Sequence, residues 1–584
     1  MSEKNEISKV SGQNVGDWWK KTVVYEIYPS SFQDSDGDGI GDLTGIRQRL
    51  DYLESLGVGA IWLTPVYASP MVDNGYDVSD FCSINPMFGT MEDMERLIAE
   101  AKEHGIRIVM DLVMNHTSDQ CPWFLESRTS RNNPRSDWYI WRDGKTIQDE
   151  TTGKIRRVPP NNWRGIFGGS VWQWCEERDQ YYMHTFATAQ PDLNWECEEV
   201  RQALYRIANF WIEKGVGGFR IDAIPYIKKP TNFGDGTPDA SDGMASVHTM
   251  TVNTEGILDL LQEFKANVTE GRDIFTVAEA NGVGPQELKH WVGENGAFDM
   301  LFEFSHIHDV ELWCKPGPFG IKDLKNALIE SQKATARNGW YPIFFENHDK
   351  PRCINNFFSP TADPNLAAKA MATLTLTLRG TPFIYQGQEL GMTNVKWDSI
   401  DAYNEVNSKA QYRFALQEGF SPKEALGFVH RFSRDNARTP MQWTTGVNAG
   451  FTRGLPWLPV NENFTRVNAE SEAQCSSSVL RWYKCLIALR QQERALREGS
   501  FEPLLSDHPQ VFAYRRFLEK SPASETPKAW SVVVNLSETD AFFDEKILRG
   551  FAVHLCNYRN DSSQETQVLQ GILRPLEAVI LRSV

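Results

Sequence analysis

Cysteine is scarce in this chain: nine residues in 584, odd in number, scattered, with no CxxC pair. That excludes a disulfide scaffold and a Cys-built zinc site, and matches the reduced thiols of a cytoplasmic protein. The HExxH pattern of metallopeptidases is also absent. No apolar run is long enough to span a bilayer. The polar stretch Met1–Gly16 has no apolar core, so neither a secretory signal nor a membrane partner is expected. Positive charge is in deficit, with 60 Lys and Arg against 77 Asp and Glu, a net charge of −17. A basic footprint for nucleic acid or anionic lipid is therefore missing. A neutral small molecule suits such a surface better. The chain shows no internal repeat.

What is present is ordinary globular material: 41% hydrophobic and 23% charged residues, enough for one large domain with accessories. Apolar runs alternate with helical patterns. Val23–Tyr28 precedes Leu43, Ile46, Leu50, Leu53 and Leu56, whose spacing predicts one helix closed by Gly57. Ala60–Leu63 precedes a helix opened by Thr90, with Asp93 in the capping-box position and Gly105 at its end. Strand-like runs follow at Ile106–Val113, Gly217–Ile221, Ile274–Ala278, Met300–Phe304, Pro342–Phe345 and Pro382–Tyr385. Eight parallel strands with covering helices predict an α/β fold, a (β/α)8 TIM barrel.

About 100 residues separate the third and fourth runs, far beyond an ordinary connection. The Trp-, Asn-, Pro- and Gly-rich stretch 115–188 reads as a subdomain inserted after strand 3. The barrel is then 17–114 and 189–504, with a second long excursion near Thr393–Gly454. A last helix lies near Ser478–Glu498. Val511–Phe517, Ala529–Val534, Ala552–Leu555 and Ala578–Leu581 predict a C-terminal antiparallel β-sandwich domain over 505–584.

Three acids close strand-like runs: Asp222 in Gly-Phe-Arg-Ile-Asp, Glu279 in Thr-Val-Ala-Glu-Ala, and Asp349 in Glu-Asn-His-Asp. Strand ends in a parallel barrel lie on the rim where chemistry is done. Facing carboxylates across a sugar are the equipment for breaking a glycosidic bond. Structural ion pairing is the alternative, and three coincident strand-end acids argue against it. Arg220 shares a strand face with Asp222, so it is expected to lower that acid's pKa and keep it ionised. Partial burial is expected to raise that of Glu279, as a general acid needs. His116 and His348 also sit at strand ends and suit hydrogen bonding to sugar hydroxyls. Asp34-Ser-Asp36-Gly-Asp38-Gly-Ile40-Gly-Asp42 is a glycine-bent acidic loop whose alternating oxygens suit one hard cation, Ca²⁺ or Mg²⁺.

Together these motifs resemble the α-amylase superfamily of glycoside hydrolases (glycoside hydrolase family 13) over nearly the whole chain. Asp111-Leu-Val-Met-Asn-His116, Gly218-Phe-Arg-Ile-Asp222, Glu279, Asn347-His-Asp349 and Gln190-Pro-Asp-Leu-Asn194 match its signature blocks in order. Within it the chain is most similar to oligo-1,6-glucosidases and isomaltase/maltase-type α-glucosidases. The resemblance implies Asp222 as nucleophile, Glu279 as acid/base and Asp349 as transition-state stabiliser. It implies Asp73, Tyr76, His116, Phe167, Phe186, Gln190, Arg220, Ala223, His348 and Arg438 around the terminal glucose. It also implies a structural Ca²⁺ on Asp34, Asp36, Asp38, Ile40 and Asp42. The activity so implied is exo-acting, retaining release of glucose from isomaltose, maltose or sucrose-like α-glucosides, by a chain expected to be monomeric.

The departures concern specificity. Ala223 replaces the Val typical of oligo-1,6-glucosidases and the Thr of maltases. Glu279-Ala-Asn281 replaces their Glu-Met and is similar to trehalose synthases. A disaccharide isomerase or transglucosidase is thus the alternative activity. The Arg-Leu-Asp-Arg-Asp loop of sucrose isomerases is missing near Ser305–Ile321, and no basic cluster suggests a sugar phosphate.

Overall fold

The computed structural model describes residues 16–148, 155–293, 295–308, 310–337, 339–519, 529–558 and 567–584. Most of the polar N-terminal stretch therefore lies outside the described residues. Eight parallel strands form the central sheet: β1 (Val24–Ile27), β2 (Ala60–Leu63), β3 (Arg107–Val113), β4 (Gly218–Asp222), β5 (Phe275–Glu279), β6 (Met300–Phe302), β7 (Pro342–Ile343) and β8 (Thr381–Tyr385). Their order is β6-β5-β4-β3-β2-β1-β8-β7. The two ends of this row are drawn together by aromatic packing, with the Phe302 ring centroid 4.8 Å from that of Phe344 just past β7. The expected (β/α)8 barrel is what forms.

Side-chain period explains why the barrel is dry at one end and charged at the other. Successive residues of a strand alternate faces. Val24, Trp62, Val109, Val277, Met300, Phe302 and Phe383 pack into one cluster. Two residues on, the same face carries Glu26 on β1, Asp111 on β3 and Glu279 on β5. On β4 the small Gly218 is followed by Arg220 and Asp222. Register places Arg220 directly beside Asp111 on one side and Val277 on the other. The charged layer thus follows from register and a two-residue step.

The helices follow their caps and apolar stripes. Met91–Glu103 starts at Thr90 with a complete capping box to Asp93 and buries Met94, Leu97, Ile98 and Ala101. The helix expected from Leu43 to Leu56 is two helices, Leu43–Arg47 and Leu50–Leu56. Asp42 caps the first by accepting from Gly45 N–H. Both remain on one apolar stripe, which is why the spacing looked continuous. Helix Pro364–Thr377 is buried along most of its length. It is covered on its far side by the C-terminal sheet, where Arg516 Nη1 donates to the Thr377 carbonyl at 2.6 Å.

Between β3 and β4 the chain builds a three-stranded antiparallel sheet (Trp141–Arg142, Trp172–Cys175, Gln180–Met183) and the hairpin Lys145–Gln148/Ile155–Val158. The excursion after β8 is helical, with Val406–Gln417, Pro422–Phe432 and Asp435–Arg438. The C-terminal β domain is a five-stranded antiparallel sheet ordered Ser500–Leu504, Val511–Phe517, Ala529–Asn535, Ala578–Ser583, Phe551–Cys556. Its first strand lies upstream of the expected boundary at 505. All nine cysteines are free. Among the described residues no helix is long and apolar enough to cross a membrane.

Candidate active site

At the carboxyl ends of the strands lies a cavity of about 540 Å³. Small-molecule pockets run from roughly 300 to 1,000 Å³. Asp222, Glu279 and Asp349 all line it, with Asp73, Tyr76, His116, Phe167, Phe186 and Ala223. The three acids therefore meet at one place, although β7 stops at Ile343 and Asp349 stands in the turn beyond it rather than at the strand end.

Arg220 organises the acids from beneath. Its Nη1 donates to Asp222 Oδ1 at 2.8 Å and to Asp111 Oδ1 at 2.9 Å, while its Nη2 donates to Glu279 Oε2. Asn281 Nδ2 donates to the other Glu279 oxygen at 3.2 Å. One cation shared by three carboxylates cannot neutralise them all. Burial accordingly pushes the Asp222 carboxyl well above the usual carboxylate range, against the pull of Arg220. Asp111 is raised by burial to about 6. The expectation that Arg220 alone would depress Asp222 fails because that guanidinium is divided and the Asp222 carboxyl is buried.

Asp349 has the opposite balance. Burial would raise it, but the guanidinium groups of Arg434, Arg438 and Arg220 surround it and hold it well below the usual range. Arg438 Nη2 donates to Asp349 Oδ1 at 2.6 Å and Arg434 Nη1 to the same oxygen at 3.1 Å. Arg434 also reaches Asp73 Oδ1 at 3.3 Å and Glu405 Oε1 at 2.8 Å. Asp73 is lifted by burial to about 6 despite that cation. Gln190 Nε2 lies 3.1 Å from both Asp73 Oδ2 and His116 Nε2. Burial lowers His116 to about 4, so its ring is neutral near pH 7 and free of competing charge. Phe186 packs on His116 at 5.2 Å and on Phe167 at 5.9 Å between ring centroids. Tyr76 lies flat on His348, 5.4 Å away.

Gln190, Arg220, His348 and Arg438 differ from expectation. They do not line the cavity but sit one layer behind it, almost fully buried, bonded to residues that do. Three side chains absent from the sequence reading complete the network. Glu26 accepts from His348, Arg434 bridges Asp73 to Asp349, and Glu405 anchors Arg434. Glu26 had a signal, a lone acid within an apolar strand run. Arg434 had one too, a second arginine four residues before Arg438. Glu405 carried none.

The acidic loop follows β1. Carboxylate oxygens of Asp34, Asp36 and Asp42 converge within 4.8 Å of one another. Gly37 and Gly39 adopt φ of 92° and 97°, and a side chain at Gly39 would strike the Leu455 carbonyl. An all-oxygen set of this kind fits a hard cation. Asp38 stays outside the converging group, and its Oδ1 accepts from Ile40 N–H at 2.8 Å.

A (β/α)8 barrel with two carboxylates ending strands and a third in the turn after β7, all around a sugar-sized cavity, defines a glycoside hydrolase. Comparison with known proteins gives the family. The model described as "Alpha amylase, catalytic domain" matches residues 26–499. The chain is 42% identical to the probable oligo-1,6-glucosidase 3 of Bacillus subtilis (strain 168), covering 96% of this chain and 99% of that one. Among solved structures it resembles the trehalose-6-phosphate hydrolase of Bacillus licheniformis (TM-score 0.86, 36% identity, covering 97% and 100%). It equally resembles the isomaltulose synthase of Protaminobacter rubrum (TM-score 0.87, 35% identity, covering 97% and 100%). The chain belongs to the α-amylase family of glycoside hydrolases.

Proposed function

We propose that this chain is a retaining, exo-acting α-glucosidase that releases glucose from the non-reducing end of short α-glucosides such as isomaltose, maltose or sucrose. The observation that carries this reading is the grip of one guanidinium, Arg220, on both Asp222 and Glu279 at the cavity floor. Carboxylates that share one guanidinium suit the close pairing of retaining enzymes, whose two carboxyl groups stand roughly 5–5.5 Å apart.

In this reading Asp222 attacks the anomeric carbon, and Glu279 protonates the departing oxygen. Asp349, held ionised by Arg434 and Arg438, faces the positive charge that develops on the sugar ring. Glu279 then removes a proton from water, which releases α-glucose. Asp73, Tyr76, His116, Phe167 and Phe186 form the glucose end, positioned by Gln190, His348 and Arg438. The cavity lining carries Asp73, Asp222, Glu279, Glu303, Glu311 and Asp349 against Lys350 and Arg434. That balance disfavours a sugar phosphate and supports a neutral substrate.

A second reading, a disaccharide isomerase or transglucosidase, is favoured by the likeness to the isomaltulose synthase. The two share every reacting group and differ in whether water reaches the glycosyl intermediate. We further propose a structural Ca²⁺ or Mg²⁺ held by Asp34, Asp36, Asp42 and the Ile40 carbonyl, stiffening the loop after β1. Monomeric, cytoplasmic residence belongs to the same proposal.

Chromatography of products from isomaltose, maltose, sucrose and trehalose, each offered alone, tests the reading. Free glucose as the dominant product supports hydrolysis. A new disaccharide with little glucose supports the isomerase. Release of the β-anomer first would overturn the retaining mechanism.

A further inference from the structure

The far wall of the cavity contains Val310, Glu311 and Trp313, from the loop that leaves β6. In the sheet, β6 adjoins β5, whose end carries Glu279. Asp73, Tyr76 and His116 follow β2 and β3, on the other arc of the barrel. The β6 loop therefore borders the side where the leaving sugar sits if Glu279 is the acid.

Arg164 reaches this wall from the insertion between β3 and β4. Its side chain is only 9% exposed and contacts Asp239 Oδ1 at 2.6 Å, Asp242 Oδ1 at 3.1 Å and Glu311 Oε1 at 3.3 Å. Asp239 and Asp242 lie in the excursion after β4. One cation thus joins three separate chain excursions around the cavity mouth. Two of its partners are fixed independently. Asp239 accepts from Ser246 N–H at 2.7 Å and Asp242 from Met244 N–H at 2.9 Å. Trp163–Arg164 also pairs in parallel with Ala245–Ser246. The third partner, Glu311, keeps 61% of its side chain exposed. Behind it, Gln411 Nε2 donates to the Glu311 carbonyl at 2.8 Å, and Gln411 Oε1 accepts from Trp313 N–H at 3.1 Å.

We propose that Arg164 and Glu311 form a clasp across the leaving-group side of the cavity, which restricts this enzyme to short α-glucosides. The inference rests on the α-glucosidase reading. An ion pair with one exposed partner adds little to fold stability. Its consequence is to hold the β6 loop against the insertion, where a longer substrate would have to pass.

The test measures kcat/KM of the full chain on isomaltose, isomaltotriose and isomaltotetraose, and on the corresponding maltose series. Wild type is compared with Glu311→Ala and with the near-isosteric Glu311→Gln. The tetraose-to-disaccharide ratio is expected to rise about 5-fold or more in Glu311→Ala, a change of about 1 kcal/mol. A smaller rise is expected in Glu311→Gln. The wild-type ratio should also rise with salt, which screens the exposed end of the pair. Unchanged ratios in both variants, with wild type releasing glucose normally, would overturn the clasp alone. A wild type that processes none of these saccharides would overturn the α-glucosidase reading and the clasp with it.

Discussion

Glu26, inside β1, holds His348 at two points. Its Oε1 lies 3.2 Å from the His348 backbone nitrogen and 2.6 Å from the ring Nδ1. On the other edge of the ring, Nε2 lies 2.7 Å from the Tyr76 hydroxyl, which donates to Asp111 at 2.9 Å. A phenol has one proton to give. Since it goes to Asp111, the Tyr76 oxygen accepts from His348 Nε2–H. The neutral imidazole then accepts at Nδ1, and Glu26 is the protonated donor. Burial acts in the same sense on both groups, raising Glu26 well above the carboxylate range and lowering His348 well below its own.

Glu26→Gln should therefore be the milder of two variants. The amide donates to Nδ1 where the carboxylic acid did, and only the His348 backbone N–H loses its acceptor, at a cost of about 1 kcal/mol. Glu26→Leu leaves Nδ1 and a backbone N–H unpaired and should cost roughly 1–3 kcal/mol. Thermal unfolding with parallel kinetics checks this. Equal losses in the two variants would mean that the hydrogen bond from Glu26 to Nδ1 adds nothing to stability.

Asp222→Ala should reduce turnover by more than about 10³-fold while leaving the fold intact. Arg220 retains Asp111 and Glu279 as partners, so no orphaned cation results. Substantial residual activity, with unchanged circular dichroism, would remove Asp222 as nucleophile.

Asp73 makes stability depend on pH. Its folded-state pKa of about 6 lies above the ordinary 3.8, so the folded chain binds a proton that the unfolded chain releases. The Asp73 contribution to stability is then full below about pH 4, falls as pH rises to about 6, and is absent beyond, a loss of about 3 kcal/mol. Asp73→Asn should remove this step, gaining more stability at pH 7 than at pH 4 while weakening glucose binding. Calorimetric midpoints at the two pH values, with KM, test it. A gain equal at both would show that Asp73 titrates normally.

Chelation reads out the acidic loop. With a bound cation at about 100 times its Kd, the folded state gains roughly 2.7 kcal/mol, so EDTA should lower the unfolding temperature of wild type. Asp36→Ala should have a lower midpoint from the start and no response to EDTA. A wild type insensitive to EDTA, with no metal found by elemental analysis, would leave the loop an acidic turn.

Ala223 sits in the left-handed region, with φ 44° and ψ 34°, and lines the cavity beside Asp222. A β-branched residue there is strained, at roughly 1–2 kcal/mol. Ala223→Val should lower the unfolding temperature and shift preference from α-1,4 towards α-1,6 bonds. An unchanged isomaltose-to-maltose ratio would place linkage choice elsewhere.

The eight strands, the capped helix from Thr90 and the strand-end acids Asp222 and Glu279 were legible in the sequence. Each rests on a local signal: an apolar run, a capping pair, a carboxylate closing a β-branched stretch. These follow from side-chain period and backbone preference, which act over a few residues. The continuous stripe from Leu43 to Leu56 misled because two helices on one stripe have the same spacing as one.

What only the tertiary structure decided is who shares whom. Arg220 was read as the partner of Asp222 because they are two residues apart. The fold sets Asp111 and Glu279 against the same guanidinium, and burial, with those two acids nearby, reverses the expected shift of Asp222. Arg434 meets Asp73 from 361 residues away, and Arg164 meets Glu311 from 147. Electrostatics in a buried site depends on distance and on the loss of water, and neither quantity is written along the chain. The local code placed the acids at the rim of a barrel. The balance of charge among them came from the folded neighbourhood.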